Sequence, residues 1–327
     1  MCPDIGPGSP GTCGPSTTGG AQEDLVINGT DTELIMTHIT VGIDGSTGST
    51  RALEWAAAES SLTGCDLEIV HAVDLPRTGG IFTNTAIGDK AITEMSRFSQ
   101  DLLDIAARRA AEVAPDVRMW TRTEVGSPAA VLSAASSDAE AVVVGSRGLG
   151  AFESFIGSVS VRVATRAGCP VFVIPDQDTE PSRGGPIVVG VDDSEYGAAA
   201  LRFALQEALL RKTSIRAVTA YQLPMVSVPL QPGVMTSFEQ DEHERALATI
   251  EKLLDQVRTD ETNDVKTESA VVQGPTVEGI LAHANDAQLI VVGSHGRGMV
   301  RRLLLGSVSR RLLYETDRPV AVVDLPH

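Results

Sequence analysis

Past residue 36 the chain alternates between short, continuous apolar runs and longer segments with a single apolar face. The runs His38–Ile43, Leu67–Val73, Ala141–Val144 and Val171–Ile174 are four to seven residues long and rich in Val and Ile. Apolar character over so short a length is the pattern of a strand buried on both sides. Between the first two runs, Leu53, Ala56, Ala57 and Ser60 recur at helical spacing, and a longer helix is predicted near Glu94–Val113. A short third strand then leads into Gly126-Ser127-Pro128, where another helix begins, and a last helix starts near Gly157. Strand and helix alternate throughout, which predicts a parallel sheet with helices on both faces.

The same order occurs twice. Asp44 matches Asp192, Leu53 matches Leu201, Pro76 matches Pro224, Gly126 matches Gly274 and Gly148 matches Gly296, all at an offset of 148. From Ser158/Ser307 to Pro170/Pro319 the offset is 149, so the first copy lacks one residue between Gly148 and Gly157. A constant register over this distance marks an internal duplication. The second copy supplies strands at Ile187–Val191, Ile215–Tyr221, Leu289–Val292 and Val320–Val323, a helix with Leu201, Ala204, Leu205 and Ala208 on one face, and a long helix near Gln240–Val257. The domains are therefore expected at 37–175 and 187–327. Residues 1–36, rich in Gly, Pro, Ser and Thr, are expected to be disordered, and 176–186 to be a linker.

Composition narrows the chemistry. Hydrophobic residues make up 42% of the 327 but aromatics only 4%, so the core must be built from Val, Ile, Leu and Ala. A formal charge of −17 repels a phosphate backbone or an anionic membrane, and no nucleic-acid or membrane partner is expected. A small anion is still compatible, because local backbone N–H groups outweigh a distant net charge. Cys2, Cys13, Cys65 and Cys169 show no paired spacing, which excludes a disulfide framework or a zinc site. No apolar run approaches the ~20 residues of a membrane span, and no secretory signal precedes the domains, so the expected location is the cytoplasm.

In doubly wound sheets ligands sit beyond the carboxyl ends of the strands where strand order reverses. After the fourth strand stand Gly145, Arg147 and Gly148, then Gly157, Ser158, Val159 and Ser160. The second copy has Gly293, His295 and Gly296, then Gly306, Ser307, Val308 and Ser309. Glycines let the backbone approach a ligand and aim its N–H groups at an anion. The second Gly-Ser opens a helix, whose first N–H groups and dipole favour phosphate. Ser158, Ser160, Ser307 and Ser309 are candidate hydroxyl donors; the alternative is a tight turn followed by an ordinary serine cap.

Asp44 and Asp192 end the first strands, where a carboxylate can bond ribose hydroxyls or help hold Mg²⁺ beside phosphates. Helix capping is the competing role, open also to Ser46, Asp193 or Ser194. Ala72 and Ala220, ending the second strands, leave room for a flat base. His71 and His283 are read as packing residues, and Arg301 and Arg302 as solvated or interface residues. Neither copy carries a Walker-type loop, a dinucleotide G-x-G-x-x-G after its first strand, or a nucleophile elbow. No catalytic residue is assigned. A binding module is the leading reading; a slow Mg²⁺-dependent ATPase or autokinase using Asp44 or Asp192, and a nucleotide-free adaptor, stay open.

At these residues the chain resembles the universal stress protein family in its tandem form, from His38 to Leu325. The resemblance rests on V-G-I-D44 and V-G-V-D192, and on G-x-x-G followed by G-S-V-S after the fourth strands. Nucleotide-binding members space these glycines as G-x2-G-x9-G-[ST], which Gly293, Gly296, Gly306 and Ser307 match, whereas eight residues separate Gly148 from Gly157. The resemblance implies a Rossmann-like, adenine nucleotide alpha hydrolase-like fold with five mainly parallel strands per domain. It implies ATP as ligand, with the adenine near Gly42, Asp44 and Ala72, or Gly190, Asp192 and Ala220, and the phosphates on the glycine loop and helix start. It also implies a role in stress response, and domain pairing through Val171–Ile174 and Val320–Val323 within the chain, with further assembly into a homodimer. The shortened loop, carrying Glu153 where the second carries Arg297, Arg301 and Arg302, makes the two sites unequal in expectation.

Overall fold

A computed structural model describes residues 37–74, 86–147, 157–177, 184–223, 232–296 and 304–325, without the side chains of 86–92 and 232–234. The disorder expected of residues 1–36, most of the expected linker, Gly148, Glu153, Arg297, Arg301 and Arg302 lie outside these residues.

Each apolar run becomes a strand because Val and Ile suit a pleat covered on both faces. The first half runs β1 (His38–Ile43), α1 (Thr47–Thr63), β2 (Asp66–Val73), α2 (Ala86–Val113), β3 (Met119–Val125), α3 (Pro128–Ala135), β4 (Ala141–Gly145), α4 (Ser158–Arg166) and β5 (Val171–Ile174). The second runs β6 (Ile187–Gly190), α5 (Glu195–Arg211), β7 (Ile215–Tyr221), α6 (Pro232–Val257), β8 (Thr267–Gln273), α7 (Thr276–Ala282), β9 (Leu289–Gly293), α8 (Ser307–Glu315) and β10 (Val320–Val323). The third strand of the first half is not short: it spans 7 residues, largely exposed because it pairs only with β2 at the sheet edge. Helices α2 and α6 also begin earlier than their apolar periodicity suggests, at Ala86 and Pro232.

The strands form one ten-stranded sheet in the order β3-β2-β1-β4-β5-β10-β9-β6-β7-β8. All pairs within a half are parallel. Strand order reverses between β1 and β4, and between β6 and β9, which fixes the two crevices. One face of the sheet is covered by α1, α2, α5 and α6, through residues such as Leu53, Leu103, Leu201 and Ile250. The other is covered by α3, α4, α7 and α8, through Leu132, Val163, Ile280 and Leu312. No helix among the described residues is long and apolar enough to cross a membrane.

The halves join through β5 and β10, the antiparallel pair in the sheet, so the expected pairing of last strands occurs within the chain. Phe172 lies opposite Ala321. Its ring packs on Trp55 of α1 at 4.3 Å and on Phe203 of α5 at 5.8 Å. Beside these rings Arg211 bonds both Glu207 and Glu59, and its guanidinium stands 5.6 Å from the Trp55 ring centre. Both glutamates are buried.

Candidate functional site

At the end of β6 the chain turns sharply into α5, and the turn is built by a relay. Gly197 N–H donates to Ser194 Oγ at 3.1 Å, and Ser194 donates its hydroxyl and its N–H to Asp192 Oδ1. In the first half Ser49 N–H donates to Ser46 Oγ at 3.1 Å, and the Ser46 hydroxyl donates to Asp44 Oδ1 at 2.6 Å. Ser46 and Ser194 are therefore the caps, and one carboxylate oxygen of each aspartate braces them. The other oxygen of Asp192 faces the glycine turn after β9: a Cβ added to Gly296 would lie 2.8 Å from Asp192 Oδ2. Gly197 is equally constrained, since its Cβ would meet the Asp192 carbonyl at 2.4 Å.

The turn after β9 is tied down on three sides. Ser294 N–H donates to the Val323 carbonyl, Gly306 N–H donates to the Ser294 carbonyl, and the Ser309 hydroxyl donates to the Gly293 carbonyl. Matching bonds join Ser146 to Ile174, Gly157 to Ser146, and the Ser160 hydroxyl to Gly145. The Ser160 and Ser309 hydroxyl protons, expected to serve a ligand, thus go to strand-end carbonyls, because these buried side chains have a main-chain acceptor beside them. Gly306 caps α8 without any side-chain bond, as Gly157 does α4, which leaves the first-turn amides without a side-chain acceptor.

These parts enclose a cavity of about 270 Å³ in the second half. Gly190, Asp192, Ala220, Gly293, His295, Gly296, Gly306, Ser307, Val308 and Ser309 all line it. His295 is buried, bonds Ser294 Oγ through Nδ1 at 2.8 Å, and packs 5.0 Å from the Tyr196 ring. Its Nε2 is buried with no hydrogen-bond partner among the described residues. Sequence reasoning missed Gly197, Thr219 and Thr276, which also line the cavity. Thr219 precedes Ala220 inside an apolar strand, and nothing in its local pattern distinguishes it. No cluster of three or more metal-ligating side chains occurs among the described residues. Mg²⁺ at this site would thus rest on Asp192 plus oxygens of its ligand, a donor set that magnesium accepts.

The first half places the same positions differently. Gly145 lies so close to Gly48 that an added Cβ would stand 2.7 Å from the Gly48 carbonyl, and Arg147 replaces His295. Gly42 faces Leu132 as Gly190 faces Ile280, each 2.6 Å from an added Cβ, so both glycines admit a helix side chain. Ala72 is half-buried against the α3 side of the core, Ser158 is exposed, and Val159 packs on the core. His71 and His283 hold the carbonyls of Ile43 and Gly279, each at 2.9 Å, which accounts for both. Burial and nearby carboxylates push the Cys169 thiol up to about 12, leaving it unreactive.

A doubly wound sheet, duplicated, with glycine turns and open helix starts at its switch points defines a tandem Rossmann-like α/β protein. The model of the universal stress protein family matches residues 36–175 and 185–324, and the chain belongs to that family. It is 32% identical over 300 residues to universal stress protein Rv2005c of Mycobacterium tuberculosis, covering 87% of this chain and 96% of that one. A universal stress protein from Archaeoglobus fulgidus shares the fold, with a TM-score of 0.63 at 20% identity over 88% of this chain and 98% of its own. A solved universal stress protein in complex with cAMP aligns with 43% of this chain and 98% of its own, at 25% identity and a TM-score of 0.33.

Proposed function

We propose that this chain is an ATP-binding regulatory module whose principal site is the cavity of the second half. The observation that carries the reading is the uncapped start of α8 in a glycine-lined cavity. The N–H groups of Ser307, Val308 and Ser309 offer donors to phosphate oxygens, and the helix dipole favours the negative charge there. Ala220, beside Gly190 in the cavity lining, leaves room for the base, and Asp192 faces the ribose or a phosphate-bound Mg²⁺. The ligand's adenine identity follows from the family resemblance, and so does the stress-response role. The first half, with Arg147 for His295 and a loop one residue shorter, is the weaker site. Because β5 and β10 already pair with each other, a homodimer of this chain uses another surface.

Isothermal titration of the full chain with ATP and Mg²⁺ tests the reading. Saturable heat is expected, weakened about tenfold or more by Gly306→Val, which fills the helix start, and less by Gly157→Val. Absence of heat and of any thermal shift would overturn nucleotide binding. Equal losses in the two variants would overturn the ranking of the sites.

A further inference from the structure

The seam between the halves is closed on one face and open on the other. On the α1/α5 face, Trp55, Phe172 and Phe203 fill it, with Arg211 between two glutamates. On the opposite face α4 and α8 flank the same seam and leave a cleft of about 700 Å³ between them. It is larger than the cavity at the α8 start and, among the described residues, shares only Ser307 with it.

The lining of the cleft has a definite chemistry. Arg162 and Arg166 come from α4, Arg310 and Arg311 from α8, against a single carboxylate, Glu315, among the described residues that line it. This concentration occurs in a chain of net charge −17, so it is a local reversal of sign. Arg311 is paired with Glu278 and Glu315. Arg162, Arg166 and Arg310 have no carboxylate partner among the described residues. Arg162 and Arg166 stand one turn apart on α4, a like-charge spacing that disfavours the helix unless an anion offsets it. Between the arginines the surface is apolar: Leu304 is 61% and Tyr314 42% exposed.

We propose that this cleft is a docking site for an acidic, amphipathic peptide segment of a partner protein. Apolar anchors of such a segment rest on Leu304 and Tyr314, while its carboxylates meet Arg162, Arg166 and Arg310 in charge-assisted hydrogen bonds. A nucleic acid fits less well, because a chain of net charge −17 repels a long phosphate backbone and such a ligand would leave the apolar floor bare. The inference is independent of the nucleotide site.

Fluorescence anisotropy of a labelled, amphipathic Leu/Glu helix titrated with the full chain in nucleotide-free buffer tests it. Binding is expected to saturate, to weaken with added salt, and to fall about tenfold in the R162E/R310E double variant, neither residue having a carboxylate partner to lose among the described residues. Leu304→Ser, which leaves the charges in place, is expected to weaken it as well. Circular dichroism establishes that each variant is folded. Failure of the Leu/Glu peptide to bind overturns the proposal, as does equal binding to the charge-reversed variant or equal binding of a Leu/Lys peptide. Tighter binding of a labelled DNA duplex, or self-association of the chain that R162E/R310E abolishes while the peptide stays unbound, also overturns it.

Discussion

Asp192 and Ser194 show how two roles share one turn. The serine caps α5 and the aspartate braces the serine, while the carboxylate's second oxygen faces Gly296 in the cavity. Ser194→Ala is therefore expected to lower stability by about 1 kcal/mol and leave ATP affinity within twofold. Asp192→Ala is expected to cost a similar amount of stability and at least tenfold in affinity; urea denaturation and titration read the two separately. If both variants bind alike, Asp192 is a brace alone. Another residue-scale contrast lies at the other end of the helices. Gly64 ends α1 with φ +76, and its counterpart after α5 is Lys212, held at φ +52. A side chain there costs roughly 1 kcal/mol, so Lys212→Gly is expected to raise the urea midpoint. The glycines and serines of the site were legible because each has a main-chain job that only a few residue types perform. Tyr196 and Thr219 were not, since their importance comes from what the fold brings beside them: His295 for the first, the cavity for the second.

At the scale of elements, the buried strands were legible almost to the residue, and the edges were not. β1, β5 and β10 coincide with their apolar runs, because a strand covered on both faces has little choice of composition. β3 and β8 sit at the two ends of the sheet, carry Arg122, Glu124 and Glu268, and show little of that signal. The bond from Ser309 to the Gly293 carbonyl also belongs to this scale, because it locks the start of α8 to the end of β9. Ser309→Ala leaves a buried carbonyl without that donor and is expected to cost about 1–3 kcal/mol in thermal or urea denaturation. It is also expected to weaken ATP binding, since the helix start then loses its anchor. A variant as stable as the parent would show that the turn holds its geometry without the hydroxyl.

For the whole molecule, the question is what couples two copies of one fold into a single sheet. The antiparallel pairing of β5 with β10 was legible only through the family resemblance, and the side chains that reinforce it gave no signal at all. Glu59, Glu207 and Arg211 are an ordinary helix surface in sequence, and they become a buried cluster only because α1 and α5 meet over the seam. Arg211 has Thr63 as its counterpart, so one guanidinium serves two carboxylates. Burial first, and the neighbouring Glu207 second, push the Glu59 carboxyl from its ordinary 4.5 up to about 8, with Arg211 opposing. Above about pH 4.5 the unfolded chain has released this proton while the folded chain keeps it until about pH 8. Stability from this group is therefore complete at the acid end, declines as pH rises through that window, and changes no further above it. The slope is at most about 1.4 kcal/mol per pH unit. Gln at position 59 mimics the protonated acid in shape and carries no charge. Glu59→Gln is thus expected to gain on the parent steadily from about pH 5 to about pH 8 and to hold a constant lead beyond, as read by urea midpoints at a series of pH values. A lead that stays flat from about pH 5 to about pH 8 would mean that Arg211 keeps the Glu59 carboxylate ionised throughout, and that the seam is held by a charged triad.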